Sequence, residues 1–310
     1  MIENNEFRPL VTYALFAYNQ EQFIREAVES ALAQKYSPLE IILSDDCSTD
    51  KTFSIMEVLA RKYNGLNNVI LNRNSKNLGI IGHINNVLKM ANGKFIVMAG
   101  GDDISIPSRT DILLTEWIKL QKPACSIFTN AVTINEKGGQ TGCYYESPDF
   151  SRNIEEFIAK EKCWVGGFSH GFSMELYSKY GPLFEETFQE DGVLSFRALL
   201  DSGIHYIEES TVFYRRHSGN SYAIDDYIKF KKLYKSELGL IKGRLIDLKM
   251  NPGLSAIQQK KIEKILNRQF IVKLFMLKTP GLVDIIYLVK SLKARLKRHR
   301  CISSVKLTDL

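Results

Sequence analysis

Long hydrophobic runs are missing from this chain of 310 residues. No apolar stretch approaches the roughly 18–20 residues that a membrane-spanning helix needs, which argues against a helical span. The opening residues, Met-Ile-Glu-Asn-Asn-Glu, lack the basic and apolar regions of a secretory signal. Paired cysteines are missing too: Cys47, Cys125, Cys143, Cys163 and Cys301 are odd in number and scattered, with no Cys-x-x-Cys spacing. That pattern speaks against zinc and redox motifs and for free thiols in a reducing compartment. A cytoplasmic protein is expected. The turns after the apolar runs also lack Gly-x-Gly-x-x-Gly and Gly-x-x-x-x-Gly-Lys, so the phosphate-binding loops of dinucleotide and P-loop folds are excluded.

What is present is an ordinary globular composition, 45% hydrophobic and 25% charged, with length for one large α/β domain and an appendage or for two modest domains. The net charge of +6 conceals an asymmetry. Residues 1–226 carry 21 Lys/Arg against 30 Asp/Glu, a net of −9, whereas residues 227–310 carry 20 against 5, a net of +15.

The chain turns on residues 93–107. The apolar run 95–99 reads as a strand buried on both faces, and it ends on Gly100-Gly101-Asp102-Asp103. Ligand crevices of open α/β sheets lie beyond the carboxyl ends of the strands, where these acids would meet a phosphate and its metal. Gly and Asp are also ordinary turn residues, so a surface turn is the plain alternative. Ahead of it, strand 11–16 breaks at Ala17-Tyr18-Asn19, with Asn19 placed to cap a helix through Phe23, Ala27, Val28, Ala31 and Leu32. Strand 39–43 ends in Asp45-Asp46-Cys47-Ser48-Thr49-Asp50, where Ser48 or Thr49 would cap the next helix. A short strand at 69–71 and a helix from Ile84 to Met90 complete three β-α repeats before the fourth strand, which predicts a parallel sheet with helices on both faces.

Further on, a helix carries Ile112, Leu113 and Trp117, residues 125–134 read as a strand, and 140–165 are poorly periodic. A helix with Val193, Leu194 and Leu200 opens on Glu190-Asp191, acids that serve as a helix cap or as functional groups. Residues 205–214 read as a strand ending in Arg215-Arg216-His217, and a lone His is more often structural than a ligand.

Taken together, Ala17-Tyr18-Asn19-Gln20, the run Asp45 to Asp50, Asn77-Leu78-Gly79 with Asn85, Gly101-Asp102-Asp103 with Pro107, Glu190-Asp191 and Tyr214-Arg215-Arg216-His217 fall in the order and spacing of the family 2 inverting glycosyltransferases. From about residue 9 to 220 the chain resembles that family. The resemblance implies one nucleotide-binding α/β domain of the A type, with a mostly parallel central sheet flanked by helices, over residues 1–226, and a basic helical C-terminal extension over 227–310. It implies that Ala17, Tyr18 and Asn19 line the nucleotide with Asn77 and Gly79, and that Asp45 or Asp46 accepts from the base. It implies further that Asp102 and Asp103 bind the metal that grips the diphosphate, that His217 assists it, and that Asp191, with Glu190 as rival, is the catalytic base. The cofactor implied is a divalent cation, Mn or Mg, and the donor a nucleotide-diphosphate sugar. Two positions depart from the pattern: Gly100 stands where many relatives carry an acid, and Cys47 where Gly is common.

In the extension, 229–248 and 255–277 read as helices. A last segment sets Ile285, Val289, Leu292 and Leu296 against Lys290, Lys293, Lys297, Arg298 and Arg300. Such a helix suits an anionic membrane surface, or else it packs on the catalytic domain with a solvated basic face. A nucleic-acid partner is not expected, since no aromatic-rich basic sheet accompanies the charge. The expectation is a peripheral enzyme on the inner face of the cell membrane that transfers sugar to a saccharide or lipid-linked acceptor in polysaccharide assembly; the alternative is a non-catalytic nucleotide-sugar-binding or scaffold protein.

Overall fold

The computed structural model describes residues 8–145, 153–160, 165–217, 227–251, 253–279 and 281. Strands β1 (Val11–Ala17), β2 (Leu39–Asp45), β3 (Asn68–Arg73) and β4 (Phe95–Gly100) pair in the order β3-β2-β1-β4, parallel throughout. Helices α1 (Ile24–Leu32), α2 (Thr52–Lys62) and α3 (Gly79–Met90) connect them. The strands are apolar on both faces because both are covered. Tyr13, Leu15 and Ala17 pack with Val28 of α1 and with Leu113 of α4 (Arg109–Leu120), while Ala14, Ile42 and Met98 pack with Ile84 and Leu88 of α3.

Beyond β4 the sheet becomes mixed. The next elements are β5 (Ile104–Ser105), β6 (Ser126–Ile134), β7 (Gln140–Cys143), α5 (Ile154–Lys160), β8 (His170–Ser173), α6 (Met174–Tyr180), α7 (Glu190–Leu200) and β9 (Ile204–Arg215). Strand β8 runs antiparallel to β4 and β6, β9 runs parallel to β6 and antiparallel to β5, and β7 hangs antiparallel on β6. The stretch that is poorly periodic in sequence therefore holds β7 and α5, and β8 follows it. Strand β7 is exposed along its whole length and β8 is only four residues long, so neither carries an alternating signature.

Helices α8 (Tyr227–Met250) and α9 (Ala256–Lys278) pack on this core. Leu240, Ile241 and Leu248 of α8 and Ile262 and Leu266 of α9 share one apolar cluster with Val193, Leu194 and Phe196 of α7. Arg197 of α7 donates through Nε and Nη2 to the Asp247 carboxylate at 2.9 and 3.1 Å, with both side chains buried. Ser255 closes a reciprocal capping box with Gln258. Lys231, Lys235, Lys242, Lys260, Lys264 and Arg268 face solvent, so in α8 and α9 much of the basic charge lies on an outer face over an apolar seam. The last amphipathic segment, with Ile285 to Arg300, lies outside the described residues.

Candidate active site

The loops after β1 and β2 brace one another across the carboxyl edge of the sheet. Asn19 takes a left-handed backbone, φ 51°, and does not cap a helix, since α1 begins five residues later. Its N–H donates to Ser48 Oγ (2.9 Å) and its Oδ1 accepts from the Thr49 N–H (2.9 Å). The Gln20 N–H donates to Thr52 Oγ1 (2.7 Å), that of Glu21 to Asp50 Oδ2 (3.1 Å), and that of Lys51 back to Glu21 Oε2 (3.0 Å). Ser48 and Thr49 are thus committed to the neighbouring loop, and Asp50, not either of them, accepts from the first N–H of α2 at Thr52 (2.9 Å). Burial alone would raise the Asp50 carboxyl, but the donors at Thr52 and Glu21 outweigh it and hold it below its ordinary value.

Asp45 and Asp46 have different surroundings. Asp46 accepts from Asn74 Nδ2 (2.7 Å) and from the N–H groups of Leu78 and Gly79 (2.9 Å each), which seats the loop that starts α3. Gly79 enters that helix at φ 73°, a conformation side chains avoid, and Asn77 closes the turn by accepting from the same N–H. Asp45 accepts from the Ser48 N–H through Oδ2, with Arg73 Nε 3.5 Å away, while its buried Oδ1 has no hydrogen-bond partner. Ala17 is buried and Tyr18 is exposed above it.

The end of β4 gathers acids and bases. Asp102 Oδ2 lies 2.9 Å from His217 Nε2, and the His217 ring packs on Phe23 at 4.8 Å. Asp103 is buried and its Oδ1 accepts the Arg215 N–H (2.8 Å); burial first, then the neighbouring Asp102, pushes its carboxyl well above the usual range. Buried Arg215 donates to the Asp102 carbonyl and pairs with Glu26 of α1. Buried Arg109 donates to the carbonyls of Met98 (2.7 Å) and Phe168 (2.9 Å). At Gly101 the backbone comes so close to β1 that a Cβ would lie 3.0 Å from the Ala17 Cβ. At Gly100 a Cβ would stand 2.8 Å from Asp102 Oδ1 and 3.2 Å from Asp103 Oδ2, so an acid at this position in relatives would join the same cluster.

These residues have the donor chemistry of a divalent cation site: two carboxylates and an imidazole, hard to borderline ligands that suit Mg or Mn. The Asp102–His217 contact is one a cation would enter. Among the described residues no group of three or more His, Cys, Asp and Glu side chains converges closely enough to hold an ion.

A third acid pair opens α7. Asp191 is buried and its Oδ1 accepts from the Gly192 N–H (2.7 Å). The helix terminus does not win here: burial raises Asp191 to about 6, with Gly192 and the positive charge of Arg244 pulling the other way. Glu190, whose Oε1 sits against Gly167, is pushed up to about 8 by burial and by Asp191. The Tyr144 hydroxyl is raised by burial and then by Asp191 and Asp103. Its ring meets Phe168 at 4.6 Å and Tyr214 at 5.2 Å, and Arg216 lies over it. Tyr144, Phe168, Arg109 and Arg244 are not singled out by the sequence. Tyr144, with Tyr145 beside it, lies in an aperiodic stretch, and a lone Arg within a helical pattern reads as a solvated residue.

Of the five cysteines, Cys47, Cys125 and Cys143 are free thiols, and Cys163 and Cys301 lie outside the described residues. Cys47 has φ 63°, which accounts for glycine being common at this position in the family the sequence resembles.

The glycosyl transferase family 2 model matches residues 14–180, more than half of the chain. An uncharacterized glycosyltransferase of Rickettsia typhi is 26% identical over 78% of each chain. The chondroitin synthase of Pasteurella multocida is 31% identical over 54% of this chain, which spans only 16% of that protein. Among solved structures, residues 1–349 of S. aureus TarS in complex with UDP-GlcNAc align with a TM-score of 0.62 at 18% identity, covering 87% of this chain and 74% of that one. The mannosyltransferase PcManGT from Pyrobaculum calidifontis, in complex with GDP-Man and Mn²⁺, aligns with a TM-score of 0.53 at 17% identity, covering 97% and 82%. These structures share the α/β fold with its curled mixed sheet and C-terminal helices. The chain belongs to glycosyl transferase family 2.

Proposed function

We propose that this glycosyltransferase moves a sugar, with inversion, from a nucleotide-diphosphate sugar to a hydroxyl of a saccharide or lipid-linked acceptor. The observation that carries the reading is the pair of carboxylates at α7. Their affinities for protons are driven apart, so that near neutral pH Asp191 is ionised and Glu190 protonated. Asp191 then takes the proton of the attacking hydroxyl, and Glu190 orients the acceptor as a hydrogen-bond donor. Inversion follows from a single displacement at the anomeric carbon.

On the donor side, Ala17, Tyr18 and Asn19 line the nucleotide. Asp45 reads the base through its unpartnered Oδ1, since Asp46 is committed to the α3 loop. Asp102 and Asp103, with His217 assisting, would hold a divalent cation, which would neutralise the charge on the leaving diphosphate. The TarS complex with UDP-GlcNAc and the PcManGT complex with GDP-Man and Mn²⁺ support a nucleotide-sugar donor. Relatives that include a chondroitin synthase and a hyaluronan synthase support a role in polysaccharide assembly. A place on the inner face of the membrane is supported by the net charge of +15 in residues 227–310 and by exposed Ile271 and Phe275 late in α9; no described helix is long and apolar enough to cross a bilayer.

Calorimetry with UDP-GlcNAc and GDP-Man, with and without Mn²⁺, tests the donor side. One of them should bind, more tightly with the metal, and Asp102→Ala and Asp103→Ala should remove that metal dependence. Metal dependence unchanged in both variants would sink the assignment. Hydrolysis of the bound nucleotide sugar separates a transferase from a binding protein.

A further inference from the structure

The segment just ahead of Glu190 and Asp191 hangs on a single hydroxyl of α8. Ser236 is buried there; its Oγ accepts the Phe188 N–H at 3.0 Å, lies 2.9 Å from Thr187 Oγ1 and 3.5 Å from the Gln189 amide nitrogen. A hydroxyl offers one donor and two acceptor positions, and these contacts use all of them when it donates to Thr187. Thr187 Oγ1 in turn accepts the Gln189 N–H (3.1 Å), and the Gln189 carbonyl accepts the Val193 N–H (3.2 Å) inside α7. The start of α7 is thus tied to α8 bond by bond. We propose that Ser236 is a positioning residue for transfer: its hydroxyl sets where the first turn of α7 lies, and with it the two carboxylates, which makes α8 part of the catalytic apparatus. The inference rests on the transferase reading above, in which Asp191 is the base.

An ordinary helix cap would not have this effect. A capping side chain satisfies the N–H groups of its own helix and leaves the helix free to move as a unit. Gln189, the residue at the cap position of α7, makes no such bond; its amide reaches Ser236 instead. The anchor is therefore external, and it fixes the acids relative to the rest of the fold.

The backbone of α8 is shaped for this approach. Gly239 and Gly243 follow Ser236 one and two turns on, along the same helix face. A Cβ at Gly239 would stand 2.1 Å from the Glu186 carbonyl oxygen, and one at Gly243 would stand 3.2 Å from the Phe184 Cβ. A side chain at Gly239 would hold the segment off and draw Ser236 out of reach. The exposed Lys242–Glu186 pair adds little by comparison.

The beginning of the segment is fixed independently. Asn85 of α3, a position of the sequence pattern with no place yet in the site, donates to the Leu183 carbonyl (2.9 Å) and accepts the Leu183 N–H (2.8 Å). Arg197 donates to the carbonyls of Gly181 (2.7 Å) and Pro182 (3.1 Å). Asn85 and Arg197 hold residues 181–183, and α8 sets residues 184–189. That division separates positioning of the acids from folding of the segment as a whole. All of it except Asn85 lies beyond residue 180, where the family match ends.

Hydrolysis of UDP-GlcNAc and GDP-Man by the full chain tests this with water as the nucleophile: its oxygen bonds to the anomeric carbon as the diphosphate leaves, and Asp191 takes the proton. Misplacement of about 1 Å at a reacting group can cost 10²-fold, so Ser236→Ala should lower kcat roughly 10- to 100-fold while the donor dissociation constant, from calorimetry, stays within about twofold. Burial is the first cause that raises both acids, so a loosened first turn should also move both limbs of the kcat/KM pH profile to lower pH; Arg244 of α8 and Tyr144, which also bear on Asp191, are unaltered. Ser236→Thr, which keeps the hydroxyl, should restore much of kcat, and Gly239→Ala should act as Ser236→Ala does. Ile262→Val trims the same apolar cluster from α9 and serves as control: it should lower the melting temperature and leave kcat and the pH limbs in place. Circular dichroism confirms folding; if Ser236→Ala or Gly239→Ala does not fold, the other decides. Parent kcat and pH limbs in the folded variants, or an equal loss of kcat in Ile262→Val, would overturn the inference and leave the transferase reading standing. If Asp191→Asn hydrolyses as fast as the unaltered chain, that reading fails and takes the inference with it.

Discussion

The acids at the strand ends and the acid pair at α7 are held in opposite ways. At the carboxyl edge of the sheet, the loops after β1 and β2 are fixed by reciprocal hydrogen bonds between Asn19, Gln20, Glu21 and residues 48–52, and the β4 turn by Arg109 and Arg215. At α7, Asp191 makes one local bond to its neighbour, and its surroundings come from the packing of α8. Hydrogen-bonded loops fix direction, which suits the reading of a nucleotide. Burial in a packed seam raises proton affinity, which suits a base that must work near neutral pH.

The largest effect expected from breaking this difference is chemical. Asp191→Asn keeps shape and removes the basic oxygen, so transfer should fall by about 10²- to 10⁴-fold with donor affinity within a few-fold. Near-full transfer in Asp191→Asn with a dead Glu190→Gln would reverse the two roles. The pH profile of kcat/KM sharpens the test: activity should rise as Asp191 ionises near about 6 and fall as Glu190 loses its proton near about 8, and Glu190→Gln should lose the alkaline limb. The same shifts carry a sign for stability. Both carboxyls hold a proton more tightly folded than unfolded, so their contribution is greatest below about pH 4 and is lost as the pH rises towards about 8.

How legible each half is in sequence follows from how it is held. The β-α repeats, the strand ends and the acids at 45–46 and 102–103 stand out because parallel strands are continuous apolar runs that stop abruptly at polar turns. The braces do not stand out. Asn19 reads as a cap and Ser48 as another, because a residue suited to a helix start is equally suited to accept from a neighbouring loop, and only the fold decides which N–H is near. Nor does the seam at α7. Arg197 and Asp247 are 50 residues apart in helices that each look solvated, and their pairing emerges only on packing.

That pair gives the next largest effect. Asp247→Ala would leave the Arg197 guanidinium buried without its carboxylate, at a cost of about 3–5 kcal/mol. Denaturant unfolding should show it, and Arg197→Met with Asp247→Leu together should recover much of the loss. If Asp247→Ala costs nothing, the α7–α8 seam is held by its apolar contacts alone; if the double variant is no better than the single one, the loss comes from the Arg197 bonds to the Gly181 and Pro182 carbonyls and not from an unpaired charge.

If the basic C-terminal residues hold the protein on an anionic membrane, attachment should be lost in steps, at about 1 kcal/mol for each Lys or Arg near the surface. Truncation after Thr279 removes Lys290, Lys293, Lys297, Arg298 and Arg300 and should release the protein from vesicles containing phosphatidylserine, while Phe275→Asp should weaken binding less. Binding that ignores salt, or equals that of the truncated chain, would leave the outer face of α9 as merely solvated surface.

The smallest effect sits in the loop after β2, at Cys47. A left-handed backbone costs a side-chain-bearing residue about 1–2 kcal/mol. A glycine there would avoid that cost and would give back about 0.5–1 kcal/mol through the freer unfolded chain. Cys47→Gly should therefore raise stability by about 0.5–1 kcal/mol, measured as a shifted denaturant midpoint with an unchanged slope. The loop is already braced by Asn19 and Asp50, so nucleotide affinity should stay the same. A variant less stable than the parent would mean that the half-buried thiol contributes packing worth more than the strain it imposes, and that the donor loops, like α7, rely on burial as well as on hydrogen bonds.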